Sequence, residues 1–274
     1  MNMSFTRCAL FLLTGWIAAC TSGKDAGRVA DAVPKIGVVQ TKRPPRLDGL
    51  LDDPAWRVAN TTRAFVETRK GGDAPVQASA KFLWDERYLY VGVDVHDMLL
   101  RASHTGRDDH LWEQDCVELM VDPDGDEKNY FEIQVSPRGV VFDTRYDSRR
   151  MPQPFGHLDW DSRIRIGVSP RGDLDDKEAD AGYTVEMAIP WQAFSLDGKP
   201  LAPPGIGDEW RANLYVMDLI EDRQQAAAWS SLGIGDFHVP RRFGILAFEG
   251  PGNRMPKPMK RDGAQTLESP EAPH

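Results

Sequence analysis

Two short apolar runs place acids and amides where they can do chemistry. In residues 116–121, Val117, Leu119 and Val121 recur at every second position, so a strand burying them turns Cys116, Glu118 and Met120 to its other face. In residues 130–135 the same parity buries Phe131, Ile133 and Val135 and points Tyr130, Glu132 and Gln134 away. If the two strands are neighbours, Glu118 and Gln134 line one surface bearing carboxylate, amide, phenol and thioether groups. Trp112 lies just upstream, after a polar loop at 103–110. Such an inventory suits a polyhydroxylated ring. The axial C–H faces of a pyranose are apolar and slightly electropositive and stack on an indole, while its hydroxyls need fixed donors and acceptors. A carboxylate can accept from two hydroxyls, and charge-assisted bonds are roughly twice as strong as neutral ones. By residue type alone, Trp112 beside Leu111 could equally plug an edge of the sandwich, and Glu118 on an outward strand face could be a solvated acid.

Those residues need strands to carry them, and the chain supplies many. Runs of β-type residues at 76–84, 88–95, 117–121, 130–135, 140–144, 163–168, 183–189, 211–217 and 243–248 are separated by turn residues. This spacing predicts an all-β, antiparallel β-sandwich of immunoglobulin-like or jelly-roll-like type. Asp85-Glu86-Arg87 has the length of a hairpin loop. Two single helical turns are expected, at Asp53-Pro54-Ala55-Trp56 and at 190–194. Trp56, Trp84, Trp191 and Trp229 sit within apolar segments and read as core, whereas Trp160 lies in a loop and is a candidate to extend the site.

Flanking segments bound the domain. Arg7 is the only charge in residues 1–19, and it precedes an apolar run at 8–16 too short to span a bilayer, the pattern of a signal peptide. Ile17-Ala18-Ala19-Cys20 is similar to a bacterial lipobox, which predicts acylation of Cys20, a membrane partner through the lipid anchor, and a tether at 20–34. Residues 250–274 are proline-rich, charged and almost free of apolar side chains, and are expected to be disordered. The folded domain is therefore assigned to 35–249. Loss of Arg7 changes the formal net charge of −9 to −10, an acidic balance that excludes nucleic acid as a natural partner. With Cys8 removed and Cys20 acylated, Cys116 is the only thiol left, so stability must come from a hydrophobic core and not from disulfides.

Five segments in order carry a family resemblance. Leu47-Asp48-Gly49 with Asp52-Asp53-Pro54-Ala55-Trp56, the run Leu83-Trp84-Asp85-Glu86-Arg87-Tyr88-Leu89-Tyr90-Val91, and Trp112-Glu113-Gln114-Asp115-Cys116-Val117-Glu118 come first. Gly182-Tyr183-Thr184-Val185-Glu186 with Ala188-Ile189-Pro190-Trp191, and Pro240-Arg241-Arg242-Phe243-Gly244, follow. Together they resemble the family 9 carbohydrate-binding modules over residues 35–249. The resemblance implies a non-catalytic β-sandwich that clamps an oligosaccharide or polysaccharide between two aromatic rings and supports carbohydrate catabolism at the cell surface or in the periplasm. It places one clamp ring at Trp112, a sugar-binding acid at Glu118, and the second ring at Phe237, where the family carries a larger indole. A family arginine falls on Gln134 and an asparagine on Ile234, so the hydroxyl contacts, and with them the sugar specificity, differ.

Other chemistries stay compatible with these residues. A glycosidase needs two carboxylates about 5 or 6.5–9.5 Å apart across a cleft, and Glu113, Asp115, Glu118, Glu132 and Glu186 are available. A b-type haem needs two axial ligands across one pocket, for which His96, Met98, His104, His110 and Met120 are candidates. A sandwich that has kept its fold and lost its ligand is a further alternative. No cofactor is required, but the resemblance implies structural calcium. Asp122-Pro123-Asp124-Gly125-Asp126-Glu127 fails the EF-hand spacing and reads as a charged hairpin turn, leaving the calcium ligands unassigned.

Overall fold

The computed structural model describes residues 32–252 except 197 and 198. The expected signal peptide, Cys20 and nearly all of the tether and tail lie outside the described residues. In chain order the strands are β1 (Lys35–Gln40), β2 (Val66–Glu67), β3 (Gln77–Trp84), β4 (Tyr88–His96), β5 (Cys116–Asp122), β6 (Tyr130–Val135) and β7 (Val141–Tyr146). They continue with β8 (Arg165–Pro170), β9 (Tyr183–Pro190), the short β10 (Ser195–Leu196) and β11 (Lys199–Pro200), β12 (Glu209–Ile220), β13 (Arg223–Ala228) and β14 (Gly244–Pro251). The two expected helical turns are present as 3-10 turns at Pro54–Arg57 and Trp191–Ala193. Two more, Leu111–Glu113 and Pro240–Arg242, were not evident from residue types.

The strands form one curled sheet in the order β7-β6-β5-β12-β14-β1-β3-β4-β9-β8. Curling folds it into the two layers of a sandwich. One layer carries β7, β6, β5 and β12, and the other carries β3, β4, β9 and β8. Strand β1 makes the corner, pairing in parallel with β14 and, at Val39 and Gln40, with β3. It and β13 escaped the sequence reading because β1 is short and β13, RQQAAA, has little β character of its own.

Alternation decides what fills the core. Val117, Leu119 and Val121 of β5, Phe131, Ile133 and Val135 of β6, and Leu214 and Val216 of β12 pack in one cluster. The same cluster takes Phe82 of β3, Val91, Val93 and Val95 of β4, and Val185 and Met187 of β9. Trp56, Trp84, Trp191 and Trp229 are buried as expected. Trp160 is not a site residue: its ring packs against Phe131 and its indole N–H donates to the Ala193 carbonyl at 3.1 Å, on the far side of the β6 layer.

One buried acid is a structural pin. Glu186 of β9 accepts the Trp56 indole N–H and the Gly49 backbone N–H, each at 2.6 Å, and so ties the opening loop to the second layer. Glu186→Ala leaves both donors unpaired and should lower stability by about 3 kcal/mol, read as a shift of the urea midpoint at unchanged slope.

Candidate functional site

The face of β5, β6 and β7 that turns away from the core is not solvated. In register, Glu118 lies opposite Gln134, and Gln134 opposite Phe142. Glu118 is 3% exposed and Gln134 1%, because three segments fold over this face: 101–115, 147–162 and 229–243. Between them is a cleft of about 260 Å³, small beside the roughly 300–1,000 Å³ of most ligand sites. Trp112, Glu118, Gln134 and Phe237, which the sequence singles out separately, all line it. Glu118 is buried, which sets aside the alternative of a solvated acid, since parity shows which side of a strand a residue occupies but not what covers that side.

Trp112 sits in the middle of the Leu111–Glu113 turn, and Leu111 anchors that turn by packing with Cys116, Phe142 and Met217. His110 stacks on the indole at 4.4 Å between centroids and 23° between planes, and Phe142 meets it edge-on at 5.1 Å. The indole is thus half-buried and held at a fixed tilt, with part of its surface on the cleft. Phe237 is fixed as firmly. Its ring lies parallel to that of Tyr215 at 4.5 Å, and the Tyr215 hydroxyl donates to the Phe237 carbonyl at 3.0 Å.

Below the rings lies a floor of carboxyls. The Gln134 amide nitrogen donates to Glu132 Oε1 at 2.7 Å and to Glu118 Oε2 at 3.2 Å. Its carbonyl faces the Cys116 thiol at 3.8 Å. Gln134 was expected to meet a ligand; in the structure its amide is engaged in holding two acids. Glu118 Oε1 and Glu132 Oε2 remain buried with no hydrogen-bond partner. Burial first, and repulsion from Glu132 second, push the Glu118 carboxyl well above the usual range. Burial also pushes Glu132 up to about 7.

The wall opposite is cationic but internally paired. Asp236 accepts from Arg149 Nε at 2.9 Å and from Arg150 Nε at 3.0 Å. Burial would raise the Asp236 carboxyl, but these two guanidiniums hold it down at about 2. Burial, then the Arg150 charge, lowers His238 to about 3, so its imidazole is neutral. The Arg150 backbone N–H donates to the Tyr130 hydroxyl at 3.0 Å, and that hydroxyl shares a hydrogen bond with His238 Nδ1 at 2.9 Å.

The sequence reading missed several lining residues. Tyr146 had a signal, since it follows Phe142 and Thr144 at strand parity on β7. Arg150 and Phe155 had none, because they come from an irregular connection whose course local patterning does not set. Of the haem candidates, His104 and His110 both approach the Glu113 carboxylate, at 3.8 and 3.5 Å, while the others are apart. His96 ends β4 and Met98 is exposed beyond it, while Met120 is buried with Tyr215 and Phe243.

Fold and cleft together define a β-sandwich domain with a cleft on the outer face of one layer. The chain belongs to the Carbohydrate family 9 binding domain-like family, whose profile matches residues 47–250. It is 29% identical to the endo-1,4-beta-xylanase A of Thermotoga maritima over 204 residues, 74% of this chain but 17% of that enzyme. It is 33% identical to the exoglucanase XynX of Acetivibrio thermocellus over 154 residues, 56% of this chain and 12% of the relative. The chain thus spans well under a quarter of the curated relatives it matches. Among solved structures, a family 9 module of Caldicellulosiruptor kristjanssonii in complex with cellotriose superposes with a TM-score of 0.54 at 21% identity, covering 80% of this chain and 95% of that one. A Bacteroides uniformis protein superposes at 0.61 and 21% identity over 80% of this chain and all of the other.

Proposed function

We propose that this domain binds a carbohydrate ring in the cleft between Trp112 and Phe237 and does not cleave it. One observation carries the reading: two rigidly supported aromatic rings overhang two buried carboxyl oxygens that lack partners. A pyranose supplies an apolar face for the rings and hydroxyl donors for the oxygens. The family relatives support it, since one solved module holds cellotriose and another glucose. Hydrolysis fits poorly. Glu118 and Glu132 lie side by side, joined by one amide nitrogen, whereas acid and base must flank the scissile bond from opposite faces. Titration of soluble oligosaccharides while following tryptophan emission tests the proposal. Saturable quenching or a blue shift that Glu118→Gln weakens is expected; no response to any sugar would defeat it.

The family also implies calcium, and one group of side chains fits a hard cation. Asp97, Asp115 and Asp218 bring carboxylate oxygens within 4.8 Å of one another in buried surroundings. Asp97 Oδ2 and Asp218 Oδ1 have no partner, and among the described residues no basic side chain pairs with any of the three. Burial, then the neighbouring carboxylates, pushes Asp115 up to about 8 and Asp97 up to about 6. Such a cluster is costly unless protonated or metal-bound, and calcium takes six to eight oxygen ligands of this kind. We assign the structural ion to these three residues. The 122–127 loop fits less well: Asp124 and Asp126 are exposed, and Asp122 accepts from Gly125 N and Glu127 N at 3.0 and 3.1 Å, as in the charged turn expected.

The lipobox-like Ile17-Ala18-Ala19-Cys20 supports display of this domain on a membrane through acylated Cys20, close to glycans at the cell surface or in the periplasm. Metabolic labelling with a fatty-acid analogue, lost in Cys20→Ser, checks this.

A further inference from the structure

The cleft floor consists of acceptors. Glu118 and Glu132 share the Gln134 amide as a donor, the Tyr146 hydroxyl also lies against Glu132, and each acid keeps one buried oxygen without a partner. Neighbouring positive groups are committed elsewhere, because Arg149 and Arg150 both bind Asp236, and the neutral His238 lies 3.9 Å from Glu132 Oε2, beyond hydrogen-bond reach. Tyr130, Tyr146, Tyr215 and Cys116 also surround the acids and bring no positive charge. With both acids ionised, three carboxylates face two guanidiniums, so one negative charge is left without a counter-ion inside a pocket roofed by an indole.

We propose that the cleft selects a sugar carrying a free amine, a hexosamine unit whose ammonium group donates to Glu118 Oε1 and Glu132 Oε2. This deepens the carbohydrate-binding proposal and rests on it. An ammonium has three donors and no acceptor, which matches the pair once both acids are ionised, and it supplies the missing charge. A hydroxyl supplies one donor and no charge. An N-acetyl group removes the charge and adds an acceptor facing two others. The face of Trp112 adds attraction for the cation at short range. Glu132 is then the residue whose charge sets the preference for an amine, while both acids still face the hydroxyls of a neutral sugar.

Proton release gives a second signature. The acid pair retains a proton near neutrality because burial raises both groups, and a bound ammonium displaces it. Affinity for an amino sugar should therefore rise from about pH 5 to about pH 7 and fall once the amine itself deprotonates, while affinity for a neutral sugar shows no such rise.

Calorimetric titration of the protein with the β-1,4-linked trimer of glucosamine, the N-acetylated trimer and cellotriose tests the proposal. At about pH 7 the glucosamine trimer should bind about tenfold more tightly than cellotriose, as two charge-assisted bonds replace two neutral ones. Glu132→Gln, which keeps shape and removes charge, should abolish that preference, bringing the affinities for the glucosamine trimer and cellotriose within about threefold of each other. Equal or weaker binding of the glucosamine trimer, with cellotriose still bound, overturns the amine proposal and leaves carbohydrate binding standing. A preference that survives Glu132→Gln overturns it too, by tracing the attraction to the net acidic surface. Failure of all three sugars removes both proposals.

Discussion

Trp112→Ala should weaken binding of a soluble oligosaccharide by about 30-fold or more, the loss expected when a central aromatic anchor is truncated. The indole supplies one wall of the cleft, and its tilt is set by His110, Phe142 and Phe155. Because Trp112 is only half-buried, circular dichroism should show the variant folded at 25 °C. The opposite wall offers a gain. Phe237 rests flat on Tyr215, and Phe237→Trp extends the stacking area without moving the backbone, so affinity should hold or improve by a few-fold. A Trp112→Ala protein that keeps wild-type affinity would show the sugar to lie outside this cleft.

The second large effect concerns stability. Calcium at about one hundred times its dissociation constant should stabilise the domain by about 2.7 kcal/mol, which for a domain of this size raises the Tm by about 5–10 °C, reversed by chelation. The cause is the cluster of Asp97, Asp115 and Asp218, whose backbone donors, including Leu219 N at 2.8 Å to Asp115 and Leu99 N at 3.0 Å to Asp97, leave two buried oxygens open. Asp218→Asn removes one charge from the cluster. It should raise the Tm of the chelated protein and shrink the calcium-induced shift to about a third or less. Differential scanning calorimetry with calcium, magnesium and chelator distinguishes this from a general salt effect. An unchanged Tm in calcium would show that the three carboxyls carry protons instead.

Much of this was legible in local pattern. Alternation in 116–121 and 130–135 told which side chains share a face, because residues two apart on a strand must point the same way whatever lies around them. It put Glu118 and Gln134 on one side, and the structure sets them directly opposite each other. The tryptophans at 56, 84, 191 and 229 declared themselves as core by their apolar neighbours. What alternation does not carry is the third dimension. It missed the corner strand β1 and the alanine-rich β13, which are strands because their neighbours offer hydrogen bonds and not because of their own preference.

The composition and order of residues thus determined an all-β sandwich, the polar identity of one sheet face, and the ring and acid suited to a sugar. Only tertiary structure decided that this face is roofed, since loops far apart in sequence, 101–115, 147–162 and 229–243, close over it. That roof turns Glu118 from a solvated acid into a buried one, diverts the Gln134 amide to the acids, and brings Arg150 to Asp236 across 86 positions of chain. It also gathers Asp97, Asp115 and Asp218 from three segments into one buried site. The physical reason is range: parity and turn chemistry act between near neighbours, whereas desolvation and charge pairing depend on whatever the folded chain brings within a few ångströms.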